Sequence, residues 1–194
     1  QTPGDDHAAV LIVFAGDPDA TELPEDARVL ITHRTPSMRS HSGQMAFPGG
    51  HIDATDQGPV AAALREAEEE TGLAPERVVP LAVMGQVTTG GSNRRVRPVL
   101  AYTPDPGEVY PASELETDDV FFVPVRDLVD PANRAMLGWK RWAGPTFWAR
   151  DYLIWGFTGI VLAAVLELAG WARPWDERPG DLYEALARSC NREL

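Results

Sequence analysis

One cysteine, Cys190, is the whole thiol content of this chain. A disulfide framework within the chain is thereby excluded, and no Cys/His cluster surrounds it to suggest zinc. Cys190 reads as an incidental residue near the C-terminus, and a lone thiol fits a reducing compartment, so a cytoplasmic protein is expected. Positive charge is scarce as well: 17 Lys and Arg stand against 29 Asp and Glu, for a formal net charge of −12. Nucleic acid demands a basic surface, so it is not expected as a partner. Long apolar runs are also missing. Residues 152–171 come nearest to a membrane span, but Glu167, Gly156, Gly159 and Gly170 interrupt a stretch barely long enough to cross. A buried amphipathic helix over about 158–169 is the better reading, with no membrane partner. No signal peptide is expected from the opening residues, and there is no internal repeat or low-complexity segment. What remains is a 194-residue chain with 44% hydrophobic residues, the profile of one soluble domain spanning 1–194 with a substantial core.

The richest stretch is Arg65-Glu66-Ala67-Glu68-Glu69-Glu70-Thr71-Gly72-Leu73. Read as a helix, it crowds Glu66, Glu69 and Glu70 on one face at i, i+3 and i+4, a spacing that costs helix stability when the charges are alike. A hard divalent cation, Mg²⁺ or Mn²⁺, would compensate, since such ions take carboxylate oxygens alongside substrate phosphates. Arg65 lies four residues before Glu69 and can pair with it. Upstream, Phe47-Pro48-Gly49-Gly50 signals a turn, Pro59 suits a first helical turn and Gly72 supplies the stop. The helix is therefore expected over 59–71, with Val60, Ala63, Leu64 and Ala67 on a core face beside the carboxylates.

Around this helix, 8–15 and 28–32 read as strands joined by an acidic loop. Further strands are expected over 78–87, 96–102 and 120–123, a short helix from Pro124, and a C-terminal helix over 180–192 capped by Asp181. The tryptophan-rich segment 139–155 suggests a core hairpin that leads into the last core helix. Strands flank helices without regular βαβ alternation, which favours an α/β fold: a mixed sheet between helices, an α/β/α sandwich.

These features resemble the Nudix hydrolase family. The stretch from Arg65 to Leu73 matches the second half of the Nudix box, G-x5-E-x7-R-E-U-x-E-E-x-G-U, with Ala67 at the aliphatic position. The first half departs: the spacing from Gly50 to Arg65 is one residue longer, and Asp53 or Asp56 must fill the early acidic position. The run Leu30-Ile31-Thr32-His33-Arg34-Thr35, followed by Arg39, Gly43 and Phe47-Pro48-Gly49-Gly50, is similar to the coenzyme A pyrophosphatase signature L-L-T-x-R-[SA]-x3-R-x3-G-x3-F-P-G-G. Weaker likeness continues at Glu116 with Val120-Phe121-Phe122-Val123-Pro124, and at Ile154-Trp155-Gly156-Phe157-Thr158.

The resemblance implies one Nudix hydrolase domain, with the box at about 50–73 and a C-terminal helical extension at about 172–194. It implies metal-dependent hydrolysis of a nucleotide diphosphate bond, with CoA or acyl-CoA giving 3′,5′-ADP and (acyl-)4′-phosphopantetheine. ADP-ribose, NADH or dinucleoside polyphosphates are the alternative substrates, and a non-catalytic nucleotide-binding module is the alternative class. Glu66, Glu69 and Glu70 are the expected metal ligands, with the Gly50 carbonyl added; Glu69, Glu70, Arg65 and Glu116 are the expected catalytic residues. Spacing leaves open which carboxylate is the general base, Glu116 being the candidate outside the helix. Arg34 and Arg39 are expected to clamp phosphate bidentately, with His41 in the same loop. Of the basic cluster Arg94, Arg95 and Arg97, Arg95 is carried as a substrate contact for the CoA 3′-phosphate. His7, His33 and His51 receive no role. The partner is a small nucleotide, and a homodimer is admitted.

Overall fold

The computed structural model describes residues 7–38, 41–89 and 93–193. In chain order, β1 (Ala8–Ala15), β2 (Arg28–Arg34), β3 (Met45–Ala46) and β4 (Gly49–His51) precede helix α1 (Pro59–Thr71). Strands β5 (Val79–Val83), β6 (Val87–Thr88), β7 (Arg95–Thr103) and β8 (Thr117–Pro124) follow, and β8 runs directly into helix α2 (Val125–Val129). The last third holds β9 (Arg134–Trp139), β10 (Trp142–Ala149), β11 (Tyr152–Ile154), helix α3 (Gly156–Leu168), β12 (Pro179–Asp181) and helix α4 (Leu182–Arg188).

The apolar run of β1 makes it the centre of a mixed sheet ordered β3-β2-β1-β7-β5. It runs parallel to β7 from Ala8 opposite Val96 to Ala15 opposite Thr103, and antiparallel to β2 and β4. Strand side chains alternate between faces, so a strand apolar at every position must be covered on both. Leu11 and Val13 pack with Ala62, Ala63 and Ala67 of α1 on one side. Ile12, Val29 and Ile31 pack with Val161, Leu162, Val165 and Leu166 of α3 on the other. This is the expected α/β/α arrangement around a mixed sheet. Helix α1 spans the expected residues. Pro59 occupies its first turn, and Gly72 closes it in the left-handed conformation at φ 69°, its N–H bonded to the Glu68 carbonyl.

Three expectations are corrected. The stretch 78–87 is two strands, because Met84-Gly85-Gln86 break from the ladder between β5 and β6. The tryptophan-rich segment is a meander of β9, β10 and β11 in a second sheet, ordered β11-β10-β9-β12, rather than one hairpin. Phe147, Leu153 and Ile154 carry its core contacts, while Trp139, Trp142 and Trp155 stay at the periphery. The C-terminal extension is less helical than expected. Pro174, Pro179 and Gly180 disfavour helix before Asp181, so β12 forms there and α4 covers only Leu182–Arg188, with the Asp181 carboxylate accepting from the Glu184 N–H at 3.0 Å.

After α4 the chain folds back. Asn191 is fully buried; its side chain accepts from the Leu153 N–H at 2.8 Å and donates to the Leu153 carbonyl at 2.9 Å, extending the edge at β11. His33, also fully buried, donates from Nε2 to the Asn191 carbonyl at 3.0 Å and meets the Asp118 carboxylate through Nδ1. His33 is thus a structural pin between β2 and the C-terminal tail. No described helix is long and apolar enough to cross a membrane.

Candidate active site

The pairing of β4 with β1 brings Phe47-Pro48-Gly49-Gly50 alongside the carboxylate face of α1. A Cβ added to Gly50 would lie 2.4 Å from the Glu66 carboxyl carbon, so glycine is what lets Glu66 sit against the loop backbone. One turn on, Glu70 is 3% exposed and accepts the Gly49 N–H at 3.1 Å. Burial raises its pKa to about 8; the Gly49 N–H and the charge of Arg34 oppose that rise, while Glu66 and Glu116 reinforce it by repulsion. Burial also raises the Glu66 carboxyl, the Arg65 contact works against it, and Glu69 and Glu116 push the same way as burial. Glu116, in the exposed loop before β8, therefore lies within electrostatic reach of both Glu66 and Glu70. Its carbonyl accepts the Thr35 N–H at 2.9 Å, which ties its loop to the one that follows Arg34.

Arg65 organises the outer side of this face. Its Nη1 donates to Glu66 at 3.0 Å and to Glu69 at 3.1 Å. Nε and Nη2 donate to Asp56 at 3.1 and 3.0 Å, and Nη2 also reaches the His51 carbonyl at 3.0 Å. The expected pairing with Glu69 is present, but Arg65 is a hub rather than a partner of one residue. With its donors so engaged, Arg65 is a positioning residue for Glu66 and Glu69. Asp56, held below the ordinary carboxylate range chiefly by the Arg65 hydrogen bond, and Asp53, 3.6 Å from Nη2, both face Arg65. The early acidic position of the lengthened loop thus anchors the arginine that aligns the later carboxylates.

Among the described residues, no three His, Cys, Asp or Glu side chains converge closely enough to enclose an ion. Arg65 draws Glu66 and Glu69 outward, and Glu70 turns to the Gly49 N–H. The donor set nevertheless suits a hard cation. Buried Glu70 and half-buried Glu66 repel each other and Glu116, and among the described residues no cationic side chain forms an ion pair with Glu70.

Beside this face opens a cavity of about 150 Å³ lined by Arg34, His41, Gln44, Gly49, Gly50 and Arg94, among others. Arg34 ends β2 with Nη2 3.1 Å from the Met38 sulfur, and among the described residues its buried Nε has no hydrogen-bond partner, a donor left over for an anion. His41 takes a left-handed backbone, φ 54°, and its Nδ1 lies 3.0 Å from Gln44 Oε1. Arg39 lies outside the described residues. Arg95 begins β7 and is not part of the cavity lining, which takes Arg94 from the basic cluster instead.

The sequence reading left several wall residues without a role. Gln44, Trp155, Phe157 and Thr158, none of them among the expected site residues, line this cavity as well. Trp155 donates its indole N–H to Glu193 at 2.9 Å, and Glu193 also accepts from Asn191 at 2.7 Å and from Gln44 at 3.4 Å. The signal for Trp155 lay in the Ile154-Trp155-Gly156-Phe157-Thr158 likeness. Nothing in the sequence pointed to Glu193.

Comparison with known proteins agrees with this fold. The family model described as NUDIX domain matches residues 6–143. A Nudix hydrolase of Klebsiella pneumoniae named as uncharacterized, NudL, is 36% identical over 154 residues, 75% of this chain and 77% of its own. NudL of Photorhabdus laumondii, likewise named as uncharacterized, is 32% identical over 160 residues, 80% of this chain and 81% of its own. Among solved structures, a Nudix hydrolase from M. smegmatis, RenU, superposes with a TM-score of 0.57 at 21% identity, covering 90% of this chain and 91% of that one, which shows a shared fold.

Proposed function

Because the chain belongs to the NUDIX domain family and is a Nudix hydrolase, of a class that hydrolyses diphosphate bonds of nucleotides, we propose that its substrate is CoA or an acyl-CoA. The products would be 3′,5′-ADP and 4′-phosphopantetheine or its acyl form. The observation that carries this reading is the place of the Leu30–Gly50 motif. The stretch that resembles the CoA pyrophosphatase signature supplies Arg34, Gly49 and Gly50 to one cavity wall, and Gly49 bonds the most buried carboxylate of α1.

Glu66, Glu69, Glu70 and the Gly50 carbonyl would hold Mg²⁺ or Mn²⁺, which when bound neutralises phosphoryl oxygens and acidifies water. The protein's own groups do the rest. Arg34 meets the diphosphate from β2, and Arg94 faces the same cavity, so local positive charge offsets a molecular field that would repel the substrate. Arg65 keeps Glu66 and Glu69 aligned. Either Glu69 or Glu116 takes the proton of the attacking water; both are exposed and near Glu66 and Glu70.

Glu69→Gln and Glu70→Gln should each lower kcat with CoA by about 100-fold or more while leaving circular dichroism unchanged. Near wild-type rates in both variants would sink the assignment. Whichever of Glu69→Gln and Glu116→Gln loses the acidic limb of the kcat/KM pH profile identifies the base.

A further inference from the structure

The phosphate-side cavity opens into a second one. This neighbour, about 400 Å³, shares His41, Gln44, Thr89, Trp155 and Phe157 with it and continues between Trp139, Trp142, Ile160 and Leu182. Its size falls in the range of ligand sites in proteins. Its chemistry changes along its length. His41, Gln44 and Thr89 stand with Trp155 and Phe157 where the two cavities meet, and Thr88 adds to the polar part of the lining. The far end is aromatic and aliphatic, and among the described residues neither a carboxylate nor a Lys or Arg side chain lines any of it.

The aromatic wall, which runs from Trp155 at the junction of the two cavities to Trp142 beyond it, is held in place. Trp142 and Trp155 meet edge to face, with ring centroids 5.5 Å apart. The Trp142 ring lies over Gly144, where a Cβ would come within 2.6 Å of it. Trp155 is fixed by its hydrogen bond to Glu193. Such a wall favours burial of an apolar group.

Resting on the reading of the chain as a CoA diphosphatase, we propose that this cavity is the acyl subsite. The diphosphate lies by Arg34, the amide-bearing arm passes Gln44, Thr88 and Thr89, and the apolar acyl chain of the thioester lies against Trp139, Trp142, Phe157 and Ile160. Where Trp139, Trp142, Ile160 and Leu182 line the cavity, their side chains offer no acceptor for a purine's exocyclic amine, whereas an alkyl chain asks for none. The subsite predicts preference for medium-chain acyl-CoA over free CoA, since each buried methylene adds to binding.

The test compares kcat/KM for CoA, acetyl-CoA and octanoyl-CoA in wild type and in Ile160→Trp. Ile160 is 42% exposed on α3, so a larger side chain there narrows the cavity without entering the core. The expected result is an octanoyl-CoA preference of at least about tenfold that collapses toward unity in Ile160→Trp. Titration calorimetry with S-octanoyl-pantetheine, which carries no phosphate, separates this inference from the reading beneath it. Binding to wild type that weakens in Ile160→Trp supports the subsite even if no CoA compound is hydrolysed. Equal turnover of all three substrates, with no calorimetric binding, overturns the acyl subsite while the diphosphatase reading stands.

Discussion

At the scale of single residues, Glu70 has the most unusual environment. It is buried against the Gly49 N–H, and burial raises its pKa from the ordinary 4.5 to about 8. The folded protein therefore holds a proton that the unfolded chain releases between these values, so this group's contribution to stability falls as pH rises from 4.5 to about 8. Glutamine keeps an acceptor for the Gly49 N–H without the ionisation. In metal-free buffer, wild type and Glu70→Gln should unfold at similar temperatures near pH 4.5. By pH 8 the variant should be ahead by about 3 °C or more, a gap that thermal melts across the range would read. A constant difference across that range would mean that Glu70 ionises normally. The same residue shows how far spacing alone reaches. It put Glu66 and Glu70 on one face, but their burial depends on the Phe47–Gly50 loop lying against them, a tertiary contact that helical periodicity does not encode.

At the scale of elements, legibility followed the punctuation in the sequence. Helix α1 was readable to the residue because Pro59 opens it and Gly72 closes it. The β9–β10–β11 meander was not, because its turns use Lys140 and Arg150 at φ 55° and 54° where glycine or asparagine would have announced them. Lys140 lies 4.1 Å from the centre of the Trp139 ring and Arg150 3.8 Å from that of Phe121, contacts that help hold these left-handed turns. The C-terminal tail was equally hidden, since Asn191 acts as a surrogate strand through its side chain rather than through any backbone pattern. Asn191→Ala leaves both the N–H and the carbonyl of Leu153 without their side-chain partner in the core. We expect a loss of about 2–3 kcal/mol in urea unfolding, together with weaker protection of the Leu153 amide against hydrogen exchange. A variant as stable as wild type would show that the tail does not brace β11.

At the scale of the whole molecule, an acidic protein handles an acidic substrate. The net charge of −12 works against binding, yet Arg34 and Arg94 reach the cavity beside the α1 carboxylates. Composition alone showed that the positive charge would have to be local. It could not show that Arg94 rather than Arg95 lines the wall, because that depends on where β7 begins. The sandwich holds α1 and the β4 loop together on one side of β1 and brings the N-terminus of α3, with Trp155 and Phe157, to the same cavity. The most direct measurement is hydrolysis of CoA by the purified chain with Mg²⁺ or Mn²⁺, with products identified by mass and kcat/KM compared with ADP-ribose, NADH and a diadenosine polyphosphate. The account predicts metal-dependent release of 3′,5′-ADP and 4′-phosphopantetheine, with CoA substrates preferred. A preference for ADP-ribose or a dinucleotide, or no turnover of any of them, would contradict it.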